Sequence, residues 1–125
     1  MDSNKLAQKI PIFGSTSTTI GISGTLESTP IDISKLSGDC TLQLIYTGTG
    51  TLTATYKLGI DGTPGEPNSS TMTAPTGASA ILTAAASGTR VGTFTPGAAL
   101  EMSILLTEAG GAANVSLTSA YLCIK

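Results

Sequence analysis

The 125-residue chain has no histidine and no tryptophan, and only 4% of its residues are aromatic and 11% charged. Each shortage removes a class of chemistry. Histidine is the usual general base at neutral pH and the commonest metal ligand, so Ser-His-Asp and Cys-His nucleophile sites and His-based zinc or haem sites cannot be assembled. Six basic residues against eight acidic ones leave a net charge of -2, which is no footprint for nucleic acid, whose binding rests on clustered Lys and Arg. The longest purely apolar stretches, such as Ala84 to Ala86 and Ile104 to Leu106, fall far short of the ~20 residues that span a membrane as a helix. At the N-terminus Asp2 precedes Lys5 and Lys9 and no continuous apolar run follows, so no secretory signal is expected.

Two cysteines, Cys40 and Cys123, are too few for a structural metal site and match no CxxC spacing. Each is expected as a small buried hydrophobe on a strand, with a disulfide between two core strands as the alternative. One domain of this length buries ~65% of its unfolded surface and needs no such staple.

What the sequence does contain is two-residue alternation, the period of a strand with one face buried. Cys40, Leu42, Leu44 and Tyr46 fall on one face of a strand, and Leu52, Ala54, Tyr56, Leu58 and Ile60 on one face of the next. Gly48-Thr49-Gly50 lies between them, so a β-hairpin is the economical connection. Leu100, Met102, Ile104 and Leu106 repeat the pattern. An earlier strand carries Ile20 and Ile22, with Leu26 beyond a turn or bulge at Gly24, and Ile31 and Ile33 follow the break at Pro30. The last strand, from about Asn114 to Ile124, has Val115, Leu117, Tyr121 and Cys123 on one parity and Leu122 and Ile124 on the other. Between them, Ile81 to Thr83 and Arg90 to Thr95 read as short strands around Ser87-Gly88, with Ala84 to Ala86 also compatible with a helical turn. Seven to nine short strands with frequent turn signals predict an all-β chain, an antiparallel β-sandwich of jelly-roll or immunoglobulin-like type over residues 15–125. Residues 1–14 read as an N-terminal arm or a short helix, since Leu6, Ala7 and Ile10 stand at helical spacing before Pro11.

Candidate sites are few. The stretch Asp61 to Ser70 is the most polar and turn-rich, and Asp61, Glu66 and Asn68 bring three oxygen-bearing side chains into it. Calcium takes six to eight oxygens and the spacing fits no EF-hand, so an exposed connecting loop that contacts a partner is the expectation, without a metal. Glu101 and Glu108 lie an odd number of residues apart, which turns them to opposite sides of one strand, and both read as solvated strand ends, like Asp32 and Asp39. Tyr46 and Tyr56 belong to the core with their hydroxyls at its rim, and Arg90, the one arginine, belongs to the surface. No catalytic constellation and no cofactor are expected.

The run Leu42-Gln43-Leu44-Ile45-Tyr46-Thr47-Gly48-Thr49-Gly50-Thr51-Leu52-Thr53-Ala54-Thr55-Tyr56-Lys57-Leu58, then Asp61-Gly62, Gly88-Thr89, Phe94-Thr95-Pro96 and the closing Val115 to Leu122, resembles the small β-sandwich virion structural proteins of tailed bacteriophages. Where an aromatic residue often follows the Asp-Gly turn in those proteins, Thr63-Pro64-Gly65 stands here. The resemblance implies a non-enzymatic component of a head, neck or tail, located in the virion and assembled in the host cytoplasm. Its partners would be copies of itself, as a trimer or other homo-oligomer, and other virion proteins, with neither nucleic acid nor membrane. Leu6, Ile10, Ile12 and Phe13 in the arm, and Asp61, Glu66 and Asn68 in the loop, are the expected partner contacts. A charge-poor Thr/Ser surface, with little like-charge repulsion, suits close packing in an assembly. The alternative is a small carbohydrate-binding or adhesion module.

Overall fold

The computed structural model describes residues 8–13, 18–36, 38–66, 68, 71–77 and 79–124. Its strands are β1 (Gln8–Pro11), β2 (Thr18–Ile20), β3 (Thr25–Glu27), β4 (Ile31–Asp32), β5 (Cys40–Thr47), β6 (Leu52–Gly59), β7 (Ala80–Ala85), β8 (Gly88–Phe94), β9 (Glu101–Glu108) and β10 (Val115–Ile124). Among the described residues there is no helix. One sheet has the order β1-β10-β5-β8, with β2 also on β10; the other has the order β3-β9-β6-β7, with β4 also on β9. All pairings are antiparallel.

β1 and β2 together make one broken edge strand along β10, and β3 and β4 one along β9. So counted, the chain pairs its first strand with its last, the second with the penultimate, β5 with β8 and β6 with β7. This nested winding, folded over into two sheets, is that of a jelly roll. It settles the expected β-sandwich in favour of the first of its two types.

Period two explains the core. Cys40, Leu42, Leu44 and Tyr46 of β5 point inward against Leu52, Ala54 and Tyr56 of β6, Met102, Ile104 and Leu106 of β9, and Leu122 of β10. Thr fills many outward positions, where its branched β-carbon suits a pleated surface. Tyr56 stacks on Phe94 with ring centroids 5.1 Å apart. Tyr46, fully buried, donates its hydroxyl to the Ala85 carbonyl oxygen at 2.7 Å, which ties β5 of one sheet to β7 of the other. Burial pushes this phenol above its ordinary pKa. Tyr46→Phe removes that bond, and a stability loss of about 1 kcal/mol is expected in urea unfolding.

Four expectations are corrected by the geometry. β5 and β6 are not a hairpin, for they lie in different sheets. The Gly48 to Gly50 link crosses between the sheets, pressed so closely on the β9–β10 connection that a β-carbon on Gly50 would lie 2.6 Å from the Ala113 carbonyl oxygen. The early strand splits as well: Ile20 is buried in β2, the chain turns at Gly21 to Gly24, and Ile22 is left 54% exposed before β3 begins in the opposite sheet. In β10 a bulge between Leu117 and Ser119 inverts the parity, so Val115 and Leu117 point inward and are followed by Ala120 and Leu122. Tyr121 and Cys123 therefore face outward. Finally, Ala84 to Ala86 form no helical turn: Ala84, at a φ of 45°, and Ala85 end strand β7, and Ala86 begins the turn to β8.

The bulge also decides the thiols. Cys123 is opposite Thr41, so it lies on the outer face of the sheet whose inner face holds Cys40. Both cysteines are free, and burial pushes the Cys40 thiol up to about 11, with help from Asp39 and Cys123.

Candidate functional site

Strand β9 carries a buried glutamate at each end, Glu101 at 1% exposure and Glu108 at 2%. They do lie on opposite sides of the strand, as their spacing requires, but neither is a solvated strand end. Each is covered because loops close over it and give it their amides.

Glu101 points to the outer side of its sheet. Its carboxylate accepts the Asn68 amide at 2.5 Å, and Asn68 in turn accepts the Thr63 amide on Oδ1 at 2.7 Å. Between them Pro64-Gly65 turns the chain, with Gly65 at a φ of 84° and the Glu66 amide donated to the Thr63 carbonyl at 3.0 Å, the geometry of a type II turn with Pro and Gly in their favoured places. Asp32 is the cross-strand neighbour of Glu101. It accepts the Ser34 hydroxyl at 2.7 Å and the Ser34 amide at 2.9 Å. These bonds, with a further one from the Gly65 amide, hold its carboxyl below the ordinary range. Two adjacent carboxylates thus fix the loop after β6, while Asp61, Glu66 and Asn68 remain exposed on it. The described part of the expected loop is thus tied to β4 and β9 through the Gly65 and Asn68 amides. Among the described residues no group of three or more acidic or cysteine side chains is placed to hold a metal ion.

The arm residues fare differently. Residues 8–13 are the described part of the arm or helix expected over 1–14, and of these Gln8 to Pro11 form strand β1, with Ile10 opposite Leu122. Ile12 is buried, and Ile10 and Phe13, partly buried, pack against the same core. Leu6 lies outside the described residues. The expected partner contacts do not converge: the loop stands at one end of the β9 sheet, and Ile10, Ile12 and Phe13 lie under the opposite sheet.

At the other end of β9, Glu108 accepts four backbone amides: Ser23 at 3.1 Å, Thr51 at 3.2 Å, Gly110 at 2.7 Å and Gly111 at 2.8 Å. They come from three different connections, each of which carries the chain from one sheet to the other. Amide donation to the ionised form, from Ser23 first, outweighs burial and holds this carboxyl down to about 2, from an ordinary value of 4.5. A depressed carboxyl stabilises the fold fully above its unfolded pKa and loses that contribution as pH falls through the folded one. The melting temperature is therefore expected to fall between pH 4.5 and about 2, and Glu108→Gln, already weakened at neutral pH, should show a flatter decline over that window. Gly110-Gly111, two small residues just after Glu108, was the sequence signal for such a turn.

The outer face of the β9 sheet also carries an ion pair, Lys57 to Glu27 at 3.0 Å, with the Ser103 hydroxyl donating to Glu27 at 2.9 Å. Burial raises the Glu27 carboxyl, but these bonds outweigh it and the net shift is downward. Arg90 is half-buried and donates to the Ala86 and Ser87 carbonyls at 2.8 and 3.1 Å, closing the β7–β8 turn. On the outer face of the other sheet, Lys9 lies 4.1 Å from the centre of the Tyr121 ring, within a shallow groove that also includes Thr41, Gln43 and Cys123.

No protein-family model matches the chain, and no curated protein sequence matches it. In structure it is similar to a chain in the structure of infectious bursal disease virus, Gx strain, with TM-score 0.52 and 14% identity, over 95% of this chain and 31% of that one. The chain thus spans less than a third of that neighbour's length. It is also similar to chitosan-binding module 1 of a chitosanase/glucanase from Paenibacillus sp. IK-5, with TM-score 0.42 and 16% identity, over 95% of this chain and 94% of that one. The first likeness shows a β-sandwich fold shared with a viral chain. The second, at its lower score, carries no argument.

Proposed function

We propose that the chain is a non-enzymatic structural component of a virus particle, of the phage head, neck or tail kind. It works by packing against copies of itself, as a trimer or other homo-oligomer, and against other virion proteins, and it is assembled in the host cytoplasm. The observation that carries this reading is the outer face of the β5 sheet, where Thr41, Gln43, Ile45, Thr89, Val91 and Thr93 present a broad surface with no charge among them. Such a surface gives little repulsion between neighbours. The fold shared with a viral chain supports it, and so does the exposed polar loop tied to Glu101 and Asp32 through the Asn68 and Gly65 amides, a form of contact element that a β scaffold commonly presents. Imaging of the protein in its native setting tests the reading: it is expected on a particle, and finding it free and monomeric would overturn it.

A carbohydrate-binding or adhesion module is the second reading, favoured by the groove around Tyr121. Lys9 already occupies the face of that ring, which leaves less of it for stacking on a sugar. Glycan-array binding that disappears in Tyr121→Ala would establish this second reading.

A further inference from the structure

A sandwich of this kind has four open sheet edges, and natural proteins protect such edges with short strands, Pro, charge or bulges. Three of the four carry these devices. The edge along β10 is split between β1 and β2, with Lys9 and Pro11 in β1. The edge along β9 is split between β3 and β4, with Glu27 in β3 and Pro30 between them. β7 pairs irregularly with β6, its register shifting twice, and bends at Ala84, whose φ is 45°.

β8 has none of them. It pairs with β5 over seven consecutive residues, Gly88 to Phe94, without a register shift, and it contains no Pro. Its one charge, Arg90, is turned back onto the Ala86 and Ser87 carbonyls. Among the described residues, the main chain of β8 has no hydrogen-bond partner on the side away from β5. Its outward residues Thr89, Val91 and Thr93 are exposed, Val91 at 57%.

The sequence of this edge is self-complementary about Val91. If two copies pair antiparallel there, Thr89 meets Thr93, Arg90 meets Gly92, Gly88 meets Phe94 and Val91 meets its own copy. No two like charges oppose each other, each bulky inward-turned side chain, Arg90 and Phe94, is matched by a glycine, and the outward row becomes an unbroken Thr-Val-Thr ladder of β-branched residues. We infer that β8 is an edge-pairing surface for a second copy of this chain, joining the two β5 sheets into one continuous sheet across an isologous two-fold contact. This names the surface behind the self-association proposed above, and it can fail without that reading failing.

Light scattering and sedimentation on the intact protein test it. The wild-type chain is expected to dimerise as its concentration rises. Val91→Lys, which sets two ammonium groups against each other at the two-fold, should weaken dimerisation at least tenfold while leaving the melting temperature of the monomer unchanged. Thr93→Lys is a second exposed variant, should the first fail to fold. In a Cys123→Ser background, Val91→Cys should form a disulfide-linked dimer on oxidation, because directly opposed strand residues stand about 4.5–5.5 Å apart at Cα, within disulfide reach. Thr25→Cys, on the opposite sheet, should not. A wild-type protein that stays monomeric, or a Val91→Cys variant that cross-links no better than Thr25→Cys, overturns the inference. A trimer or larger oligomer unaffected by Val91→Lys overturns it too, while leaving the assembly reading intact. A wild-type dimer lost in Val91→Lys, from a protein found free of any particle, upholds the edge pairing and overturns the assembly reading.

Discussion

Truncating Ile104 to alanine is expected to lower the unfolding free energy by about 2–5 kcal/mol, a large fraction of the ~5–15 kcal/mol that holds a typical domain together. Ile104 is fully buried near the middle of β9, opposite Tyr56 on β6. Its amide is held by the Ser28 hydroxyl at 2.9 Å, and its carbonyl by the Ser28 amide at 2.9 Å. The backbone there is fixed from both sides, so the site cannot easily collapse around the missing methyl groups, and the cost should lie towards the upper end. The check is a shift of the urea midpoint at constant slope. A loss below ~1 kcal/mol would mean that the two sheets move together to fill the void.

The second large effect is expected at Gly50. A β-carbon there would stand 2.6 Å from the Ala113 carbonyl oxygen, 2.9 Å from the Asn114 carbonyl oxygen and 2.8 Å from a Val115 methyl carbon. Two of these neighbours are backbone, which cannot turn aside as a flexible side chain would. Gly50→Val should therefore cost about 3 kcal/mol or more, beyond the usual overpacking penalty of about 1–3 kcal/mol. Gly65, whose added β-carbon would meet nothing within 4 Å, is the contrasting position. Gly65→Ala should suffer only from its φ of 84°, by about 1 kcal/mol. Parallel thermal melts of the two variants separate collision from backbone strain.

The faces of the strands were legible in the sequence, because burial acts on alternate residues of a chain segment directly. Cys40 to Tyr46, Leu52 to Tyr56 and Met102 to Leu106 place their inward residues as the period requires. Alternation carries no information on which sheet a strand joins, and that is why Gly48-Thr49-Gly50 read as a hairpin. The partner of that loop is the Asn114 carbonyl, more than sixty residues further along the chain. The bulge in β10 hid for a related reason: Thr118 and Ser119 are as acceptable in a regular strand as in a bulged one, and only the opposing register of β5 exposes the extra residue.

The site was half legible. Pro64-Gly65 and Asp61-Gly62 announce a turn by their own φ preferences, and the exposed loop follows from them. Glu101 and Glu108 did not announce their burial. A carboxylate at a strand end is ordinarily solvated, and its environment here comes from loops contributed by distant parts of the chain. The place of Ile10, Ile12 and Phe13 in the fold was also hidden from the sequence. β1, which holds Ile10, is too short to show a period, and only its pairing with β10 brings Ile10, and Ile12 and Phe13 just beyond it, against the core.

The Glu108 cluster has a further consequence for how the molecule breathes. One carboxylate anchors the amides of Ser23, Thr51, Gly110 and Gly111, so the three connections at that end cannot fluctuate independently. Releasing any one weakens the anchor of the others, and all three form a single cooperative opening unit. Loop amides normally exchange with solvent deuterium almost freely. These four should instead be slow, share one opening free energy, and accelerate together in Glu108→Gln, while the amides of the Glu101 loop at the far end keep their own rate.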